Sequence, residues 1–410
     1  MPSLREVGIA MTGTKRKMAR SFLLNLVAVA VPLVVIQLLV LPLVGQRMGS
    51  DQYGFVVAIF AFFSLMPGVM GNSLNNIRLI HETDWGADAE GDFNVLQVSF
   101  AVVAALVVAL YAALNGYLNA WGLGAIALTA LLWALREYGC VAFLVSMDYG
   151  SILGNSLWMS AGYLAGYAVF ALSGAWTVIF LMGQAASVIY IVAKTRPMRA
   201  GIEPSERLGG LARESGVLMA STFVARSASY CDRVILYPLI GGTSVAIYYA
   251  ATLVPKLVNM VASSMNSVIL SFLSRRKVAD RAELLVVLGV GLGVCVVCYG
   301  IVMVLAPPVL SVLYPQFVSA SLSLLPIVTA TAFTVVLSTL VSPYVLKYRS
   351  LRWQIVVSST SLALYLGAAL ALLSLFGLMG FCVGALLAEV ARLLALLGIF
   401  FFGKDRSCAE

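Results

Sequence analysis

Residues 21–44 read SFLLNLVAVAVPLVVIQLLVLPLV, and no charged side chain interrupts the run. Its length satisfies the ~20 apolar residues that an α-helix needs to cross the hydrocarbon core of a bilayer. Four basic residues (Lys15, Arg16, Lys17 and Arg20) precede it, as they would in a signal peptide. However, the apolar core of a signal peptide spans only ~7–15 residues. The segment therefore predicts a retained first membrane span.

The composition of the whole chain extends this interpretation. Of 410 residues, 61% are hydrophobic and only 11% are charged, whereas a soluble domain carries about 25% charged residues. A soluble fold is excluded, because so little polar surface cannot cover so long a chain. The net charge of +8 lies mostly in short segments between apolar runs, where Lys and Arg act as topology signals. We therefore expect no nucleic-acid partner.

Apolar runs of spanning length recur along the sequence and predict an all-α polytopic membrane protein with about twelve transmembrane helices. The predicted spans are 21–44, 55–77, 94–114, 122–144, 152–172, 176–193, 217–240, 245–270, 284–308, 322–346, 355–376 and 380–402.

The distribution of basic residues predicts the orientation. With the N-terminus inside, most of the 26 Lys and Arg residues fall in inner segments, and Arg47 is the single one in an outer loop. Such a bias follows the positive-inside rule, so both termini are expected in the cytoplasm. The longest inner loop is Arg-rich and divides the chain into two six-span halves. The expected domains are 1–196 and 215–410, joined by a cytoplasmic linker at 197–214.

Four basic residues remain inside predicted spans: Arg226, Arg233, Lys256 and Arg392. Each costs roughly 2.5–3.5 kcal/mol at a helix centre on insertion scales, so such residues are functional candidates by default. On span 7, Arg226, Tyr230 and Arg233 follow a helical spacing of i, i+4, i+7, which places them on one stripe.

Span 8 carries a polar face along its whole predicted length, and a face of this kind must line protein or water rather than lipid. Span 2 carries a cluster of amides below Pro67-Gly68, a predicted bend, and Pro255 predicts a second one. The face on span 8 comprises Tyr248, Thr252, Lys256, Asn259, Ser263 and Asn266, and the amides on span 2 are Asn72, Asn75 and Asn76.

Two acids lie in the same region, Asp232 on span 7 and Glu389 on span 12. A structural interpretation stays open for the cations. Lys256 and Arg226 could form buried ion pairs with these acids, Glu389 could neutralise Arg392 at i, i+3, and Arg233 could extend to the outer interface. Because the two polar stripes themselves carry three cations and no acid, the cavity that they line is expected to be positive and to favour an anionic ligand.

Membrane enzymes fit the sequence poorly. A metal-dependent glycosyltransferase needs acids near the outer face, where only Asp51 is predicted, and a membrane acyltransferase normally uses an intramembrane histidine, whereas the single His81 is predicted in a loop. A polysaccharide polymerase of the usual kind has a large outer loop, and none is predicted. The basic signature of the major facilitator class is replaced between spans 2 and 3 by an acidic loop. We expect a transporter with no catalytic residue, metal or cofactor.

Short motifs at the helix ends resemble a known family. They are Gln37…Leu41-Pro42-Leu43, Met48-Gly49-Ser50-Asp51-Gln52-Tyr53-Gly54, Tyr230-Cys231-Asp232-Arg233-Val234-Ile235-Leu236, Tyr248-Tyr249-Ala250 and Leu313-Tyr314-Pro315-Gln316-Phe317. In order and placement they are similar to the polysaccharide transporters of the multidrug/oligosaccharidyl-lipid/polysaccharide (MOP) flippase superfamily, especially Wzx-type O-antigen flippases.

The resemblance implies a MATE-like fold of two six-helix bundles around a positive central cavity. It also implies alternating access and an undecaprenyl-pyrophosphate-linked oligosaccharide, an O-antigen or capsule repeat unit, as substrate. Membrane lipids and other polysaccharide-assembly proteins are expected partners, and H⁺ or Na⁺ is a candidate coupling ion.

Site roles follow from this hypothesis. Arg226 and Lys256 are expected to contact the pyrophosphate or acidic sugars, with Arg233 nearer the exit and Tyr230 between the arginines. The expected coupling acids are Asp232 and, second, Glu389. The alternative is an ion-coupled multidrug or metabolite exporter on the same fold. The expected sugar contacts are Asn72, Asn75, Asn76, Asn259 and Asn266.

Overall fold

The structure is a computed structural model, which describes residues 23–85, 90–195, 201, 204–257, 281–349 and 351–402. In this part of the chain all the regular secondary structure is helical. The helices are α1 Leu23–Arg47, α2 Ser50–Trp85, α3 Glu90–Leu114, α4 Ala120–Gly139, α5 Val141–Val145, α6 Tyr149–Ser173, α7 Thr177–Thr195, α8 Leu208–Ile240, α9 at 242–257, α10 Arg281–Leu313, α11 Val318–Tyr348 and α12 Leu351–Phe402.

These helices overlap the predicted spans, although the second half of span 8, 258–270, lies outside the described residues. The chain is a multi-pass membrane protein. Within the described ranges, eight helices are long and apolar enough to cross a bilayer. The last two predicted spans form the single run α12, which is interrupted at Gly377, where φ is 61° and ψ is −147°. Glycine tolerates this positive φ because it has no Cβ, so the break falls where the predicted spans were separated.

The outward faces of the helices are apolar. On α10 only 11% of the most apolar window is buried inside the protein, and Val304 remains 72% exposed. Leu172 on α6 is 92% exposed. Contiguous apolar surface of this kind suits lipid rather than water.

The chain divides into two compact units. The first contains the described residues up to Arg47 together with Ile59–Arg226, and the second contains Met48–Ala58 together with the described residues from Ser227 onward. The start of α2 therefore belongs to the second unit, and α8 divides at Arg226. The domain boundaries expected from the linker stay a prediction.

In the first unit, α2 is longer than span 2 was predicted to be, and it ends at Trp85. His81, which was predicted in a loop, therefore lies in helix, and its Nε2 is 2.9 Å from Oε2 of Glu214 near the start of α8. The segment before α8 is held against α3, because Asp92 accepts hydrogen bonds from the backbone and the hydroxyl of Ser205. These contacts fix the N-terminal part of α8, the helix that carries most of the candidate site.

Candidate functional site

The second unit contains a buried charge cluster around Asp232 on α8. Oδ2 of Asp232 lies 3.2 Å from Nζ of Lys256 on α9. Oδ1 accepts a hydrogen bond from the backbone N–H of Arg233 at 2.9 Å and lies 3.7 Å from Nε of the same residue. The three side chains together carry a net charge of +1. The sequence predicted polar stripes on spans 7 and 8 that carry cations and no acid. In the structure, Asp232 on α8 reaches Lys256 on the neighbouring helix α9, so the cluster of cations does contain an acid.

Arg233 and Lys256 differ in their exposure. Arg233 is 3% exposed, and its guanidinium lies 5.1 Å from the ring centroid of Tyr249. The alternative in which Arg233 extends to the outer interface is wrong, since the side chain is enclosed by protein. The side chain of Lys256 is 32% exposed, and Nζ lies 5.9 Å from the ring centroid of Tyr248. Lys256 is therefore the member of the cluster that a ligand can reach.

Aromatic residues from separate parts of the sequence support this cluster. The hydroxyl groups of Tyr53 and Tyr314 are hydrogen-bonded at 2.9 Å, and Tyr53 stacks on Phe317 at 5.9 Å between ring centroids. Tyr249, which packs under Arg233, meets Tyr314 edge-on at 6.2 Å. These tyrosines were not predicted as site residues, although each belongs to one of the motifs that carried the family resemblance.

Two glycine corners bring those motifs together within the second unit. A methyl group added to Gly54 would lie 1.8 Å from the carbonyl oxygen of Gly242, so only glycine permits this approach of the two backbones. Oδ1 of Asp51 accepts a hydrogen bond from the backbone N–H of Gly242 at 2.8 Å. The two glycine corners, at Gly54 and Gly242, are therefore in direct contact.

Arg226 belongs to the first unit and lies against α2. A methyl group added to Gly68 would lie 2.8 Å from Nη1 of Arg226, so this face of α2 points toward the guanidinium. Asn72 and Asn76 follow Gly68 at i+4 and i+8 and share its face. Asn72 is half-buried and Asn76 is exposed. Helix α2 continues through Pro67, so Gly68 serves here as the residue that makes room for Arg226.

No acidic side chain in the described part of the chain forms an ion pair with Arg226. The open alternative, in which Arg226 pairs with Asp232 or Glu389, is therefore not found among these residues. Lys256, by contrast, does pair with Asp232. A cation inside a membrane span costs free energy unless its charge is balanced, and Arg226 remains the residue that is predicted to contact an anion.

Asn75 differs from its two neighbours on α2. It is 6% exposed, and its Nδ2 donates a hydrogen bond to the backbone oxygen of Glu137 on α4 at 3.3 Å. Its amide thus joins two helices inside the first unit. The three asparagines were predicted as one cluster, but the structure divides them between a packing face and the face that carries Gly68.

The remaining candidates lie elsewhere. Glu389 on α12 is 9% exposed, and its Oε2 lies 3.5 Å from Nη1 of Arg392, which confirms the predicted pairing. Tyr230 is half-buried on α8. Asn259 and Asn266 lie outside the described residues.

No protein-family model matches the sequence, and no curated protein is similar to it in sequence. Solved structures are similar to it in fold. MurJ, a lipid II flippase, in an inward closed conformation, gives a TM-score of 0.75 at 12% identity, over 92% of this chain and 87% of that chain. An outward-facing multidrug resistance MATE family transporter of the MOP superfamily gives a TM-score of 0.56 at 13% identity, over 94% of both chains.

The Vibrio cholerae MATE transporter VcmN in its bent form gives a TM-score of 0.53 at 16% identity, over 95% of this chain and 98% of that chain. The chain has a MATE-like fold. This confirms the all-α MATE-like fold class expected from the sequence, and at these identities the likeness establishes the fold alone.

Proposed function

We propose that this protein is a flippase that moves an undecaprenyl-pyrophosphate-linked oligosaccharide, such as an O-antigen or capsule repeat unit, from the inner to the outer leaflet by alternating access. The observation that carries the proposal is the guanidinium of Arg226, which has no acidic partner in the described part of the chain. Guanidinium groups bind phosphate oxygens in a bidentate manner.

The charge balance of both candidate regions supports an anionic substrate. Arg226 contributes one positive charge beside Gly68, and the cluster of Asp232, Arg233 and Lys256 contributes a net charge of +1. Lys256, the accessible member, and Arg226 are the proposed pyrophosphate contacts, and Arg233 contributes to the positive potential from its buried position. A cationic drug would be repelled by both regions.

The neutral polar groups suit a sugar. Asn72 and Asn76 present amides on the face of α2 that also meets Arg226, and an amide can both donate to and accept from sugar hydroxyl groups. Asn259 and Asn266 remain predicted sugar contacts outside the described residues. Asn75 is better assigned to helix packing, because its donor is used on α4. The polyprenyl tail remains in the bilayer, so only the head group requires a polar path.

The fold comparison is compatible with two classes of transporter. The MurJ structure is that of a lipid II flippase, which supports a lipid-linked substrate here. The MATE structures favour a second candidate, an ion-coupled multidrug or metabolite exporter, for which Asp232 and Glu389 are the available acids. For either class, the distribution of Lys and Arg favours both termini in the cytoplasm, and the proposed undecaprenyl-linked substrate implies a bacterial inner membrane.

A transport experiment separates the two candidates. Purified protein is reconstituted into liposomes with a fluorescent polyprenyl-pyrophosphate-linked oligosaccharide, and an impermeant quencher reports the fraction in the outer leaflet over time. We expect the wild type to move the glycolipid, Arg226→Gln to do so at least about tenfold more slowly, and neither protein to take up a fluorescent organic cation. Uptake of the dye without movement of the glycolipid would contradict the proposal and favour the exporter.

A further inference from the structure

The carboxylate of Asp232 already has a partner on each oxygen. Oδ1 binds the backbone N–H of Arg233 and lies 3.7 Å from its Nε. Oδ2 binds Nζ of Lys256. Both cations belong to the chain itself, and the carboxylate is only 4% exposed. A sodium ion or a proton at this carboxylate would have to replace one of them.

We infer that Lys256 is a tethered counter-ion for Asp232, so that the protein takes up no free coupling cation at this carboxylate while Lys256 is present. The inference rests on the proposed function only in that the protein is a transporter. It applies to a flippase and to an exporter alike, because it concerns the carboxylate and not the substrate. It assigns to Lys256 the position that an exchangeable cation occupies in an ion-coupled carrier.

Lys256, rather than Arg233, is the partner in that position. Arg233 adjoins Asp232 in sequence, and its guanidinium is enclosed over Tyr249. Lys256 comes from a different helix, α9, and approaches the carboxylate more closely, at 3.2 Å against 3.7 Å. Its ammonium group is compact and carried on a flexible stem, which makes it the closest chemical equivalent of a small monovalent ion.

The other titratable groups near the carboxylate are neutral in their ordinary states. In the described part of the chain, no cation besides Arg233 and Lys256 is positioned to neutralise Asp232. Removal of Lys256 therefore leaves a buried carboxylate with one partner beside it, and such a group recruits a cation or a proton. The neutral groups are the phenols of Tyr248 and Tyr365 and the thiols of Cys231 and Cys382, while Glu389, close to Tyr365, is paired with Arg392.

The test uses purified full-length protein in detergent without substrate, so that its outcome is independent of the flippase proposal. Thermal unfolding is measured for the wild type, for Lys256→Met, Lys256→Arg and Asp232→Asn, and for the double variant Lys256→Met/Asp232→Asn. One arm compares sodium chloride with choline chloride at equal ionic strength, and a second compares pH 5.5 with pH 7.5. The double variant reports the response of all other groups, including His81.

When sodium replaces choline, or pH 5.5 replaces pH 7.5, we expect the unfolding temperature of the wild type to shift as much as that of the double variant. In sodium or at pH 5.5, the unfolding temperature of Lys256→Met should rise by at least ~2 °C more than that of either protein. Lys256→Arg, which keeps the charge, should behave like the wild type. A sodium response of the wild type that is lost in Asp232→Asn would overturn the inference. So would a Lys256→Met protein that responds to neither condition.

A variant that does not fold is also informative. If Lys256→Met cannot be purified, recovery of folded protein in the double variant supports the inference, because removal of the unpaired carboxylate then removes the defect. If the double variant fails as well, Lys256 has a structural role unrelated to Asp232, and the inference is wrong.

Discussion

Replacing Gly68 by alanine should displace Arg226 without unfolding the protein. The added methyl carbon would lie 2.8 Å from Nη1 of Arg226, whereas a comfortable contact between such atoms is about 3.5 Å. The guanidinium must therefore move by about 0.7 Å. It can do so, because the contacted atom is the end of a long side chain and not a backbone atom.

The effects on stability and on binding should therefore differ. Alanine is favoured over glycine inside a helix by about 1 kcal/mol, which offsets the small cost of moving the side chain. A charge-assisted hydrogen bond with altered geometry, however, loses about 1–2 kcal/mol, or a factor of about 5–30 in affinity. We expect the unfolding temperature of Gly68→Ala to remain near that of the wild type, while its affinity for a polyprenyl-pyrophosphate glycan falls by that factor.

Gly216→Ala is the matched control. Gly216 lies on α8, the helix of Arg226, and an added methyl group there meets no atom within 4 Å. Affinity is measured by titration in detergent, and unfolding by differential scanning fluorimetry on the same preparations. If Gly68→Ala binds the glycan as tightly as Gly216→Ala, the position of Arg226 does not matter for binding and the reasoning is refuted.

Two further predictions concern the packing that holds the charge cluster. Gly54→Ala should destabilise the protein by about 3 kcal/mol or more, because the added methyl group would lie 1.8 Å from the backbone oxygen of Gly242. The control is Gly49→Ala, whose methyl group meets no atom within 4 Å, and it should unfold at the same temperature as the wild type. Equal unfolding temperatures of the two variants would contradict the close approach of Gly54 and Gly242. Tyr314→Phe should lower the free energy of unfolding by about 1 kcal/mol, because the hydroxyl of Tyr53 loses its buried hydrogen-bond partner. Thermal unfolding measures this loss, and an unchanged unfolding temperature would show that the hydrogen bond does not stabilise the protein.

Much of the fold could be predicted from the sequence, because lipid imposes a simple rule. Each span needs a long apolar helix, and the turns are marked by glycine and polar residues, so that even the break at Gly377 fell between predicted spans. The charges near the C-terminal end of α2 were less predictable. Because polar residues can extend a helix beyond the apolar run, α2 continued to Trp85 and included His81.

The candidate site was predicted only in part, because helical spacing describes one helix at a time. It placed Asp232 away from the stripe of Arg226 and Arg233, but the partner of Asp232 is Lys256 on the next helix. The spacing also could not show which amide of span 2 faces a neighbouring helix. Asn72 and Asn75 lie three residues apart, and either could have packed against α4. Such contacts depend on tertiary packing, and one sequence does not reveal them.

The binding of a polyprenyl-pyrophosphate-linked oligosaccharide to the wild type and to Arg226→Gln, at low and high salt, tests the central claim most directly. The account predicts salt-sensitive binding to the wild type and an affinity at least about tenfold lower for the variant, equivalent to about 1.4 kcal/mol. Equal affinities for the two proteins would contradict it, because the guanidinium of Arg226 would then not be a contact for the anionic head group.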